Sequence, residues 1–397
     1  MTGLAAATPA LTGVRVVDLT RLLPGNYASL LLYGLGAEVI KVEELTGDGT
    51  RAVPPYAHSG ESGANIVLNR GKASIALDLK SDAGRGVLLR LVATADVLLD
   101  SFRPGVMDRL GLSASALAAV NPTLVHVSLT AFGSAGPHAL RPAHDLNAES
   151  LAGLLSLSTG ADGAPAMPGV PIADLATGLQ AALAVVAGLR VAAEAPRGYR
   201  AEVSMMGAAL SLTSIAAGHV AAGRGSVPGT PDLLTGALAC YRMYRCADGK
   251  WLAVGALEPK FFARIAILLE RPAWVGLQYD VARQDELHAQ MAEVFEQRNR
   301  DEWCEVLAED DTCVTPVYDI AEAFDATEQA VAGCTVTAAR ADGSDAVVSR
   351  AVPWLPEAPG ARTAALSADA SRLLAELGYS EAEVAAMAAA ESVGGLS

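Results

Sequence analysis

His144 and Asp174 are the residues of this chain whose chemistry is easiest to name. His144 stands in Pro142-Ala143-His144-Asp145-Leu146-Asn147, and Asp174 follows thirty residues later in Ile172-Ala173-Asp174-Leu175. A histidine and a carboxylate folded to opposite sides of one carbon can exchange its proton, one removing it while the other supplies one. Taken singly, each has a plainer role. His144 reads as a capping or surface histidine just after the loop containing Gly133, Gly136 and Pro137. Asp174 reads as the N-cap of a helix beginning at Leu175, because Asp is a favoured cap and apolar residues follow. Glu258, between an apolar strand and Pro259, suits the first turn of a helix, where acidic side chains face the positive end. Arg103, in Ser101-Phe102-Arg103-Pro104-Gly105, follows a predicted strand, at the carboxyl edge where α/β sheets bind ligands.

The elements that must position these groups read as an α/β fold. Valine- and leucine-rich runs at 14–19, 37–42, 74–79, 97–99 and 124–129 predict buried strands, and the stretches 24–35 and 81–95 predict helices between them. Strands alternating with helices imply a parallel sheet covered on both faces. Residues 150–222 are apolar and alanine-rich with helical spacing, broken by a Gly/Pro-rich loop at 159–171. Runs at 241–244 and 251–254, separated by Asp248-Gly249, predict a hairpin and a change of architecture. The expected organisation is a large α/β domain over 1–224, a smaller α+β domain over 225–332, and a segment over 333–397 that returns to the large domain. That last segment opens with short strands at 334–337 and 346–349, and its final helix is introduced by a capping box at Ser380 and Glu383.

Composition narrows the partners. A chain of 397 residues, 51% of them apolar, suits two cores. A formal charge of -15 argues against nucleic acid and anionic membrane surfaces, both of which reward clustered positive charge. Lysine is confined to Lys41, Lys72, Lys80, Lys250 and Lys260, so most cations are arginines, which hold phosphate bidentately. Five cysteines without a C-x-x-C pair point away from a disulfide framework or a zinc site and towards a cytoplasmic protein. No secretory signal opens the chain, and no apolar run is expected to span a bilayer, 182–191 being only a core-helix length. The first strand-helix turn lacks G-x-G-x-x-G, Gly71-Lys72-Ala73-Ser74 lacks the upstream glycine of a P-loop, and neither G-x-S-x-G nor H-E-x-x-H occurs.

Taken in order, these segments resemble the class III coenzyme A transferases and α-methylacyl-CoA racemases, the CaiB/BaiF superfamily. The likeness runs through Gly13-Val14-Arg15-Val16-Val17-Asp18-Leu19, Gly36-Ala37-Glu38-Val39-Ile40-Lys41-Val42-Glu43, Asn69-Arg70-Gly71-Lys72, and Ala95-Asp96-Val97-Leu98-Leu99 into Phe102-Arg103-Pro104-Gly105. The racemase branch carries His-Asp-Ile/Leu-Asn, then an Asp-Phe/Leu segment, then Gly-Ala-Ile/Leu-Glu-Pro; this chain has His144-Asp145-Leu146-Asn147, Asp174-Leu175 and Gly255-Ala256-Leu257-Glu258-Pro259. The resemblance implies a Rossmann-like large domain, a smaller domain and an interlocked homodimer in which Glu258 lies across the interface from His144 and Asp174. It implies epimerisation of 2-methyl-branched acyl-CoA thioesters, with His144 and Asp174 as the two bases, the Asp145 amide as an enolate donor, and Glu258 raising the pKa of Asp174. Coenzyme A would enter as part of the substrate, without a permanently bound cofactor or metal. Its phosphates or adenine would be held by Arg70, Lys72, Arg103 and Arg109. The other activity of the family is CoA transfer through a covalent intermediate on Asp174. Departures from the racemase pattern are Ala143 for a glycine, Ala176-Thr177-Gly178 for a glycine-rich run, and Glu44 where some relatives carry a cation.

Overall fold

The computed structural model describes residues 8–160, 163–195, 197–225, 232–307, 311–330, 333–357 and 359–396. Its chain divides into two compact units, one of Met1–Gly160, Ala164–Ser226 and Val331–Ser397, the other of Ala161–Gly163 and Val227–Ala330.

The large unit is built on six strands, β1 (Arg15–Leu19), β2 (Glu38–Glu43), β3 (Ala73–Ala76), β4 (Val97–Asp100), β5 (Val125–Thr130) and β6 (Tyr199–Ser204). They pair in the order β3-β2-β1-β4-β5-β6, every pair parallel. The central strands are apolar on both faces because helices cover both. Alternate residues divide between two cores. Val16, Val39, Leu99 and Val127 pack with Ala28 and Leu32 of α1 (Leu22–Gly34) and with Ala181 and Val185 of a long later helix. Val17, Ile40, Ile75 and Leu98 pack with Val87, Leu88 and Leu91 of α3 (Asp82–Ala93) on the other face. Between β2 and β3 lies α2 (Gly63–Asn69); α4 (Val106–Arg109) and α5 (Ala114–Val120) link β4 to β5.

After β5 come α6 (Asp145–Leu151) and α7 (Ile172–Glu194), and after β6 come α8 (Met205–Ser211) and α9 (Ser214–Ala221). The expectation that no run reaches bilayer length is corrected by α7, whose 23 residues include an 18-residue window of mean hydropathy 1.7. Here α7 packs along α1, β5, β6 and α8. Gly178 makes the approach to α1 possible, since a Cβ there would stand 2.8 Å from the Pro24 carbonyl oxygen. Strand β6 is a second departure from expectation, because 150–222 reads as helical apart from the loop at 159–171. It is the edge of the sheet, and Arg200 and Glu202 alternate with Ala201 and Val203, which hides its apolar face in the sequence.

The smaller unit has an antiparallel sheet of β7 (Tyr241–Arg245), β8 (Trp251–Gly255) and β9 (Val314–Val317). Gly249, at φ +80, turns the predicted hairpin. The helices α10 (Pro259–Leu268), α11 (Gln284–Phe295), α12 (Arg300–Leu307) and α13 (Ile320–Ala330) belong to the same unit. Phe262, Ile265, Leu287, Met291, Phe295 and Trp303 pack against Tyr244, Leu252 and Val254.

The chain then re-enters the large unit. Strands β10 (Thr335–Ala339), β11 (Asp345–Ser349) and β12 (Ala361–Arg362) form a small sheet, and α14 (Ala370–Glu376) and α15 (Glu381–Ala389) close the core beside α3. The capping box predicted at Ser380 and Glu383 is present. A fully buried ion pair ties this segment to the rest: Arg70 Nε meets Glu357 Oε1 at 2.7 Å, and Arg70 also donates to the carbonyls of Val67 and Ser349.

Breaking a buried pair from one side strands a charge in the interior. Arg70→Ala should therefore cost about 3–5 kcal/mol in urea-unfolding free energy. The double variant Arg70→Met/Glu357→Leu should recover most of that loss; a single variant as stable as the parent would show the pair to be dispensable.

Candidate active site

The strand order reverses direction at β1, where β2 leaves on one side and β4 on the other. Open α/β sheets bind ligands outside the carboxyl ends of their strands at such a point. A cavity of about 1020 Å³ lies there. Its lining follows the strand ends in turn: Thr20 and Arg21 after β1, Glu43 and Glu44 at the end of β2, Lys80 after β3, Phe102 and Arg103 after β4, Ala131 and Arg141 after β5, and Met205 after β6.

Beneath it a buried ionic cluster shapes the loops. Asp18, fully buried on β1, accepts hydrogen bonds from the Thr20 amide at 2.8 Å, the Thr20 hydroxyl at 2.5 Å and Ser29 Oγ at 2.6 Å. Lys41 Nζ lies 3.5 Å from Asp18 and 3.7 Å from Asp48, and donates to the Thr20 carbonyl. Asp48 in turn accepts from the Leu22 amide at 3.2 Å, holding Leu22 at φ 60, a left-handed conformation that costs a branched residue free energy. Lys72 donates to Asn26 O, Ser29 Oγ and Asn69 Oδ1 at 2.7–2.9 Å, and burial lowers its pKa to about 7 against the opposing pull of Asp18.

His144 and Asp174 both line the cavity, together with Asn147. His144 is the N-cap of α6, and Asn147 Oδ1 accepts its amide at 3.1 Å. The Asp145 N–H is among the first donors of α6, which the helix itself cannot satisfy. Asp174 is not an N-cap: α7 begins at Ile172 with Pro171 as its cap, so Asp174 sits inside the first turn, half-buried. Its pKa is raised to about 7, first by burial, then by the charge of Asp145 and, where it is ionised, that of Glu149. Within the large unit Asp145 and Glu149 are the acids beside it. Asp145 Oδ1 accepts the Asp174 amide at 3.0 Å, and Glu149 Oε1 accepts the Ile172 amide at 2.9 Å. Glu258 lies in the smaller unit as the exposed N-cap of α10, one position before the first turn expected for it.

The expected coenzyme A contacts divide. Arg103 lines the cavity, exposed, whereas Arg109, the last residue of α4, does not. Arg70 and Lys72 are corrected: both are buried, the first spent on Glu357 and the second on three oxygens, so neither reaches an external phosphate. Arg21, Lys80 and Arg141, overlooked in the sequence, line the cavity with exposed side chains. Their signal is position, since each follows the end of a strand. Glu44 pairs with Arg21 at 2.5 Å, and Arg21 lies over the Phe102 ring at 5.4 Å. Among the described residues, no group of three or more His, Cys, Asp or Glu is placed to hold a metal ion.

The model of CoA-transferase family III matches residues 11–366. The chain belongs to this family. Over 381 residues it is 33% identical to the α-methylacyl-CoA racemase of Mus musculus, covering 94% of this chain and 95% of that enzyme. It is also 34% identical to the succinyl-CoA:glutarate CoA-transferase of Mus musculus, over 66% of this chain and 60% of that one. The crystal structure of a CaiB/BaiF family protein from Brucella suis superimposes with a TM-score of 0.81 at 27% identity, covering 94% of this chain and all of that one. The protein is thus an enzyme of the acyl-CoA class within this family, with racemases and transferases both among its relatives.

The raised pKa of Asp174 has a thermodynamic signature. Between 3.8, the ordinary value, and about 7, the folded chain holds a proton that the unfolded chain releases, so raising the pH favours unfolding. Asp174→Asn removes this linkage. Its melting temperature should match the parent near pH 3.8 and exceed it increasingly as the pH rises through about 7; parallel profiles would show that Asp174 titrates normally.

Proposed function

We propose that the protein epimerises the α-carbon of 2-methyl-branched acyl-CoA thioesters by a two-base proton transfer. The observation that carries this reading is that His144 and Asp174 share one cavity while Asp174 has its proton affinity poised near neutrality. A group that must be base in one direction and acid in the other works best with a pKa near the operating pH. His144 removes the α-proton, the electron pair moves onto the thioester oxygen, and the Asp145 N–H stabilises that oxygen. Protonated Asp174 then delivers its proton to the opposite face of the carbon; in the reverse direction the two residues exchange roles. Coenzyme A arrives with the substrate, and Arg21, Lys80, Arg103 and Arg141 supply its phosphates with cations. The protein needs no resident cofactor in this reaction, and five free thiols accord with a cytoplasmic setting.

CoA transfer is the second reading, favoured by the 34% identity to a CoA-transferase. There Asp174 attacks the thioester carbonyl, expels the CoA thiolate and carries the acyl group as an anhydride. A carboxyl that keeps its proton up to about 7 is a weaker nucleophile, which places this reading second.

A homodimer belongs to the same proposal, with Glu258 brought to the site by the second copy. In the large unit Leu179 and Leu183 of α7, Leu210 of α8, and Ile215 and Val220 of α9 are each more than half exposed, an apolar surface that a second copy would cover. Sedimentation should give a dimer at micromolar concentration and a smaller species for Leu183→Glu. A parent that sediments as a monomer would remove this part of the proposal.

The reaction is tested by two assays on the purified protein. A racemase exchanges the α-proton of 2-methylacyl-CoA with solvent deuterium and needs no acceptor acid. A transferase is silent until a carboxylate is added, and hydroxylamine then traps an acyl group on Asp174. His144→Ala should lower exchange by about 10²–10⁴-fold, and undiminished exchange in that variant would take His144 out of the mechanism.

A further inference from the structure

Glu149 has no part in the two-base scheme, yet it is the most confined acid beside it. The residue is fully buried on α6, and only one of its oxygens is engaged, by the Ile172 amide. The other, Oε2, is buried without a hydrogen-bond partner. Around it Ala148, Ala152, Ala173, Met205 and Ala209 form an apolar cluster. The titratable groups facing it are Asp145 on its own helix and Asp174 on α7; α8 and the turn Leu154–Leu157, which also pack on α6, carry none. Three carboxyl groups thus meet in one corner, and the one cation on these elements, Arg190, lies near the far end of α7, paired with Glu194.

Such a corner is a poor place for three negative charges, because Glu149 is shut away from water and none of the three has a counter-ion beside it. Asp145 is engaged by the Asp174 amide at the start of one helix and lies in the first turn of another, where negative charge is favoured. Asp174 is open to the cavity. The remaining acid, with a buried and unpartnered oxygen beside the Asp145 carboxylate, is where a proton costs least. We propose that Glu149 is a positioning residue that holds a proton against Asp145, the two side chains together clamping the Ile172 and Asp174 amides and so fixing the first turn of α7. Burial and the charge of Asp145 both push the Glu149 pKa upward, in the direction this requires. The clamp rests on the proton-transfer reading only for its catalytic consequence. The protonation of Glu149 stands apart from it.

Two readouts test the proposal. In the Asp174→Asn background, which removes the other raised carboxyl, the infrared spectrum at about pH 7 should contain a carboxylic-acid C=O band that Glu149→Gln abolishes. In the otherwise native protein, Glu149→Ala should lower kcat for deuterium exchange by about 10²-fold with little change in KM, since it releases the helix turn. Glu149→Gln, which replaces the O–H donor with an N–H and keeps the carbonyl acceptor, should rescue that loss without moving the pH profile. An unchanged infrared band, or a pH profile displaced downward by about one unit in Glu149→Gln, would mean a charged Glu149 and overturn the proposal. Equal kcat in the Ala variant would overturn the clamp. If the native protein shows no exchange at all, the racemase reading falls while the infrared result still decides the state of Glu149.

Discussion

A single buried carboxylate, Asp18, organises the end of the sheet at which the cavity opens. Burying it is costly unless every lone pair finds a donor or a cation. Those partners come from the turn after β1, from α1 and from β2, through Thr20, Ser29 and Lys41. Meeting that one demand fixes how the chain leaves β1 and how close β2 and β3 bring their lysines. Lys41 then binds Asp48, and Asp48 holds Leu22 in its left-handed conformation at the cavity wall. The shape of the cavity floor is thus a consequence of neutralising charge in the interior.

The cavity runs along the edge of the sheet. Loops after β3, β1 and β4 present Lys80, Arg21 and Arg103, while His144 follows β5 and Asp174 precedes β6. A chain with net charge -15 thus brings the exposed cations Arg21, Lys80, Arg103 and Arg141 to one cavity, with Glu43, Glu44 and Asp174 among its lining. Those cations suit the polyanionic end of a ligand, and His144 and Asp174 suit an end that must gain or lose a proton.

The sheet was legible because its central strands are buried on both faces and read as runs of valine, isoleucine and leucine. Strand β6 was hidden by the charges an edge strand tolerates. His144 and Asp174 were found from residue type and spacing, but Asp174 was taken for a cap because a proline occupies the true cap position and Asp is the better-known one. The family resemblance implies Arg70 and Lys72 as phosphate ligands, and sequence does not distinguish a cation aimed inward from one aimed at solvent. The counter-signal was the acids that they neutralise, Glu357 and Asp18, both far away in the chain. Glu149 left a fainter trace, a charge flanked by Ala148 and Ala152 on a short amphipathic helix.

The discontinuity of the large unit governs the order in which a nascent chain can become protein. Leu373, Leu374, Met387 and Val393 belong to the same core as Val17 and Ile40, and the Gly394 amide bonds to the Ala76 carbonyl. Strands β1 to β3 therefore wait for residues 373–394, made far later. The core of the smaller unit, drawn from residues 238–314, is complete before the large unit can close. During that interval the α3 face of the sheet lacks the cover of α14 and α15, so the enzyme's exposure to aggregation and to chaperones is set by the time needed to synthesise residues 331–394.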